Sequence, residues 1–66
     1  MCKYKDTVQA LRKEVGNDRV TSIRVSAAIC SVALEMGEEV DEILPVRNGT
    51  FRVTIKGRGP DAPLWV

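Results

Sequence analysis

The pair Asn48-Gly49 constrains the fold of this chain more than any other feature. It stands inside the run Val46-Arg47-Asn48-Gly49-Thr50-Phe51-Arg52-Val53-Thr54-Ile55-Lys56. A two-residue hairpin connection needs positive φ at both turn positions, and Asn-Gly meets that need with little strain. The second arm alternates, with Phe51, Val53 and Ile55 on one face and Arg52, Thr54 and Lys56 on the other. A two-residue turn sets Val46 opposite Phe51 and Leu44 opposite Val53, which gathers four apolar side chains on one face. Pro45 lacks a backbone N–H and restricts the first arm to a sheet edge. Two strands alone are marginal in water, so the apolar face calls for helices against it.

The preceding sequence supplies them. Tyr4, Val8, Leu11 and Val15 recur at helical spacing and predict a helix over about 7–15. Asp6 and Gln9 resemble a capping box at its start, and Gly16-Asn17 offers the exit. A longer helix is predicted over about 19–36, capped by Asp18 or Thr21 and stopped by Gly37. It carries two stripes: Val20, Ile23, Ala27, Cys30 and Leu34, beside Val25, Ala28, Ile29, Val32, Ala33 and Met36. Such breadth of apolar surface suits a central buried helix or a dimer seam.

Two stretches stay open. Residues 19–25 also suit a strand, the helix then starting after Ser26. Residues 38–44 read either as continued helix or as the start of the hairpin. The hairpin strands are predicted over about 42–47 and 50–56, followed by a Pro- and Gly-containing tail over 57–66. That tail ends in Leu64-Trp65-Val66, an apolar triplet with the single Trp, which predicts docking on the chain's own core or on a partner subunit. The expected architecture is α+β in one small domain, 1–66.

A chain of 66 residues buries only about 60% of its unfolded surface. A core that small supplies about 3–5 kcal/mol, so association into a homodimer is expected to add burial. Cys2 and Cys30 are too few for a disulfide framework, and Cys30 sits in an apolar segment as a small hydrophobe. A reducing, cytoplasmic setting follows, with no membrane partner, because the apolar run 27–34 is too short to span a bilayer.

Charge is segregated along the chain. Residues 1–34 hold six cations against three anions, residues 35–42 hold five anions and no cation, and residues 43–66 hold four cations against one anion. The absence of His removes the commonest general base and neutral metal ligand, and Ser22, Ser26 and Ser31 have no base to activate them. The carboxylates from Glu35 to Glu42 lack the spacing and the glycine of an EF-hand loop. No catalytic residue, metal ligand or cofactor is expected, and binding is favoured over catalysis.

Two binding surfaces are expected. The first is a basic hairpin face of Arg47, Arg52, Lys56 and Arg58, joined by Lys3, Lys5 or Arg19, that would contact DNA or RNA. Edge strands also carry cations simply to block aggregation, a reading of equal weight. The second is a protein-binding surface made of the long helix and Leu64, Trp65 and Val66, as in a small inhibitor or adaptor. A helix-turn-helix alignment on Val20, Ile23 and Val25 fits poorly, since Arg24 falls at the turn-glycine position.

Residues 41–53, ending Gly49-Thr50-Phe51-Arg52-Val53, resemble the start of the β-ribbon in histone-like HU/IHF proteins, where two helices precede a Gly-Thr-Phe-basic-Val strand. Arg58-Gly59-Pro60 is similar to the basic, Pro-tipped arm of that family. The resemblance covers about a dozen residues, departs at Pro45, and implies Arg52, Lys56 and Arg58 as DNA contacts.

Overall fold

The computed structural model describes residues 3–47, 49–58 and 63–66. Helix α1 spans Lys3–Val15, a 3₁₀ turn spans Asn17–Arg19, and helix α2 spans Ser22–Met36. Strands β1 (Val40–Arg47), β2 (Thr50–Ile55) and β3 (Leu64–Trp65) form one antiparallel sheet in the order β1-β2-β3. The architecture is α+β, with two helices followed by a hairpin and a tail that docks as a third strand.

α1 begins earlier than its sequence suggests. Tyr4 is fully buried together with Val8, and that burial draws the first turn into the helix. Asp6 and Gln9 therefore lie within the helix and do not form a capping box. Gly16 ends the helix at φ 84°, where its N–H still reaches the Arg12 carbonyl at 2.9 Å.

α2 begins later than predicted, and residues 19–25 do not form a strand. The 3₁₀ turn and the extended Val20 precede Thr21, whose hydroxyl accepts from the Arg24 N–H at 3.4 Å. At the far end Gly37 adopts the left-handed conformation (φ 69°, ψ 26°). The Glu38 N–H reaches Ala33 O at 2.8 Å and the Gly37 N–H reaches Leu34 O at 3.3 Å, the paired bonds of a Schellman motif.

The two predicted stripes part company. Val25, Ile29, Val32 and Ala33 of the second face the core while Met36 is exposed. Ile23, Ala27, Cys30 and Leu34 of the first are exposed while Val20, which lies before the helix, is buried. Cys30 is thus a surface thiol, contrary to its apolar neighbourhood in sequence. Cys2 lies outside the described residues. The core joins this stripe to Tyr4, Val8 and Val20 from the first segment and to Phe51, Val53, Ile55 and Val66 from the sheet.

The hairpin forms with a two-residue connection, since Arg47 pairs with Thr50 and Gly49 has φ 75°. Asn48, the other turn residue, lies outside the described residues. Beyond the turn the register departs from strict alternation. Val46 is an extra, bulged residue, so Phe51 faces Pro45 and Val53 faces Ile43, in place of Val46 and Leu44.

A second bulge at Asp41 brings Val40 opposite Ile55. Unbroken alternation would have turned Glu42 into the core beside Ile55. With two bulges, Val40 and Ile43 pack on the core and Glu42 is exposed. β1 occupies an edge, as Pro45 requires.

β3 closes the opposite edge. Leu64 pairs with Val53 and Trp65 with Arg52, and Phe51 and Val66 exchange backbone bonds of 2.8 and 2.9 Å. Leu64 packs on the core and Val66 is buried in it, so Trp65 between them is turned outward, 53% exposed.

Candidate functional site

The four cations expected on one hairpin face are divided by the fold. Arg47 lies beside the turn, Arg52 lies in the middle of the central strand, and Lys56 and Arg58 follow the far end of that strand. From Thr50 to Ile55 the strand covers about 17 Å. Arg47 and Arg58 therefore cannot act on one compact feature.

The far end is acidic and internally paired. Glu38 accepts from Arg58 Nε at 3.0 Å and from Nη2 at 2.7 and 2.9 Å, and the Tyr4 hydroxyl donates to it at 2.7 Å. The Tyr4 and Arg58 hydrogen bonds hold the Glu38 carboxyl below the usual carboxylate range. Lys56 Nζ lies 3.5 Å from Glu39 and Lys3 Nζ lies 3.4 Å from Glu35, both in exposed pairs. Three of the residues considered for a basic face are thus placed among acids.

The turn end has the opposite character. Arg12 on α1 reaches across 37 positions of sequence and donates from Nη2 to the Gly49 carbonyl. A polar cleft of about 770 Å³ lies there, lined by Arg12, Asn17, Asp18, Val20, Gly49 and Thr50. Arg47 pairs with the lining residue Thr50, and the exposed Arg19 lies in sequence between the lining residues Asp18 and Val20, although neither arginine lines the cleft itself. Neither Arg19 nor Arg47 forms an ion pair among the described residues. Asp18 is the one carboxylate among the lining residues.

Arg12 was not legible as a site residue, because its role depends on a contact between α1 and the hairpin tip. The 3₁₀ turn Asn17–Arg19 supplies the lining residues Asn17 and Asp18, and its last residue, Arg19, falls where the sequence predicts the start of the long helix.

The outer sheet face forms a second feature. Across the three strands Leu44, Arg52 and Trp65 are aligned in one row, with Arg52 in the middle. The expected basic face and the expected apolar tail therefore meet at Arg52 and Trp65. Since β2 is central, protection of a sheet edge does not account for Arg52. Leu64 and Val66 serve the chain's own core.

Among the described residues no group of three or more Cys, Asp or Glu side chains is arranged to hold a metal ion. Among the described residues no helix is long and apolar enough to cross a membrane. Gly59 and Pro60 of the ribbon resemblance lie outside the described residues, while Leu64 and Trp65 return to pair with β2. No family model matches this chain, and no curated protein or solved structure is found to be similar to it.

Proposed function

We propose that the chain is a small binding protein whose turn end holds the phosphate backbone of a nucleic acid. The observation that carries this reading is the open polar cleft at the turn end, lined by Arg12 with Asp18 as its lining carboxylate. Beside it Arg47 pairs with the lining residue Thr50, and the exposed Arg19 stands in sequence between the lining residues Asp18 and Val20. Guanidinium groups bind phosphate oxygens through paired N–H donors, and such contacts give affinity without reading sequence. Arg52 adds a fourth cation on the sheet, whereas Lys56 and Arg58 are held by Glu39 and Glu38 and contribute less.

Three phosphate contacts give a slope of about −2.7 in log K against log salt for duplex DNA. The test is fluorescence anisotropy of labelled duplex DNA and single-stranded RNA between low and physiological salt. Arg19→Gln and Arg47→Gln each weaken binding and reduce the slope by about 0.9, while Lys56→Gln leaves it nearly unchanged. Absence of binding at low salt, or equal loss from all three variants, would overturn the reading.

A second reading rests on Trp65, which stands half-exposed beside Arg52 and Leu44. Trp and Arg anchor protein interfaces, and this row gives the outer sheet face the character of a protein-binding patch. It takes precedence if nucleic acids leave the anisotropy flat and a purified protein partner binds the wild-type chain but not Trp65→Ser.

A further inference from the structure

Among the described residues, the outward stripe of α2 takes no part in the hydrophobic core. Ile23 and Leu34 are each 83% exposed, and Ala27 and Cys30 lie exposed between them. Their 4-3-4 spacing is that of a helix–helix seam, and it extends over about 17 Å of helix. Helix propensity does not explain it, because polar residues would serve a solvated face as well.

The stripe reads the same from both ends. Large residues stand at positions 23 and 34, small ones at 27 and 30, and the spacing is unchanged on reversal. A second copy running the opposite way therefore meets it in register. Ile23 faces Leu34 of the second copy at both ends, and Ala27 faces Cys30 twice in the middle. The small central residues allow the helix axes to approach to about 8 Å.

Charge selects the same orientation. Arg24 follows Ile23 and Glu35 follows Leu34, so in an antiparallel pair the two lie on one flank. Glu35 meets Lys3 through Oε2, at 3.4 Å in an exposed pair, which leaves its other oxygen for a guanidinium. A parallel pair would instead set the ends bearing Glu35, Glu38 and Glu39 side by side, with the helix dipoles aligned. Beside Leu34 an apolar groove of about 260 Å³, lined by Cys30, Ala33, Leu34 and Val40 with Glu38 and Glu39, offers room for the opposing Ile23.

We propose that α2 is a self-association helix, on which two copies of this chain pair antiparallel along Ile23, Ala27, Cys30 and Leu34 with Arg24 against Glu35. This surface is separate from the cleft of the turn end, and it stands or falls independently of nucleic-acid binding. A seam of three turns is smaller than the ~800 Å² per partner of a standard interface, so the pair forms at micromolar concentrations or above.

Sedimentation of the reduced protein from about 5 to 500 µM tests it, with far-UV circular dichroism to verify the fold of each variant. The expected result is a rise from 7.3 kDa towards twice that mass. Leu34→Glu weakens the association at least tenfold with unchanged dichroism. Arg24→Glu and Glu35→Arg each weaken it several-fold, and the double exchange restores it. A monomer throughout the range, or a dimer indifferent to Leu34→Glu, overturns the proposal. Failure of the double exchange to restore association overturns the antiparallel orientation.

Discussion

Ile23 and Ile29 offer a controlled comparison, because one residue type sits six positions apart on one helix with opposite surroundings. Ile29 is 0% exposed and Ile23 is 83% exposed. Removing one buried methylene-sized group costs about 0.8 kcal/mol in transfer free energy, and incomplete relaxation around it raises this to about 1–1.5 kcal/mol. Ile29→Val is expected to fall in that range. At Ile23 less than a fifth of the surface is hidden from solvent, and the same change costs about 0.1 kcal/mol.

Urea unfolding followed by circular dichroism separates the two. For a chain of this size the denaturant slope is about 1 kcal/mol/M, so Ile29→Val lowers the midpoint by roughly 1 M while Ile23→Val leaves it in place. The measurement is made at about 2 µM, where self-association adds little. Repeating it at several hundred micromolar introduces mass action, and there Ile23→Val is expected to lower the midpoint as well. Equal losses for the two variants at low concentration would refute the assignment of buried and exposed faces on α2.

Three further predictions concern the ends of the elements. Gly37→Ala is expected to cost about 1 kcal/mol in the same unfolding assay, because φ is +69° and the added Cβ meets no neighbouring atom that would increase the penalty. Val66→Ala should lower stability by about 1.6 kcal/mol through lost burial, since it removes two methyl groups from a residue 4% exposed. Glu38 has a folded-state pKa below its ordinary value, so the stability it contributes is fully present above the unfolded pKa and is lost as pH falls through the folded one. Wild type should therefore lose more of its urea midpoint between pH 7 and pH 3 than Glu38→Gln does. An equal pH dependence in both proteins would remove Glu38 as a cause.

Much of the fold was legible because it is written locally. The 4-3-4 spacing of Tyr4, Val8, Leu11 and Val15, the alternation of Phe51, Val53 and Ile55, and glycine at positions 16, 37 and 49 each act within a turn or a strand. Element boundaries were less legible. Burial of Tyr4 extends α1 towards its start, and the extended Val20 before Thr21 delays α2. The two β1 bulges are also tertiary in origin, since they choose Ile43 over Leu44 and keep Glu42 out of the core.

The candidate site depended still more on long-range contact. Sequence grouped Arg47, Arg52, Lys56 and Arg58 because they are close along the chain. Folding sends the last two to Glu39 and Glu38 and brings Arg12 of α1 to the Gly49 carbonyl, in the turn that follows Arg47.

The sequence by itself determined the α+β class, the turn between Arg47 and Thr50, and the apolar faces that had to be covered. Those follow from backbone sterics and from side-chain periodicity, which operate over a few residues. Tertiary structure decided which stripe of α2 is covered, which cations are neutralised, and that Trp65 rather than Val66 faces outward. Two apolar stripes of similar strength cannot be ranked by periodicity. The sheet covers only one of them, and that choice leaves Ile23 and Leu34 in solvent.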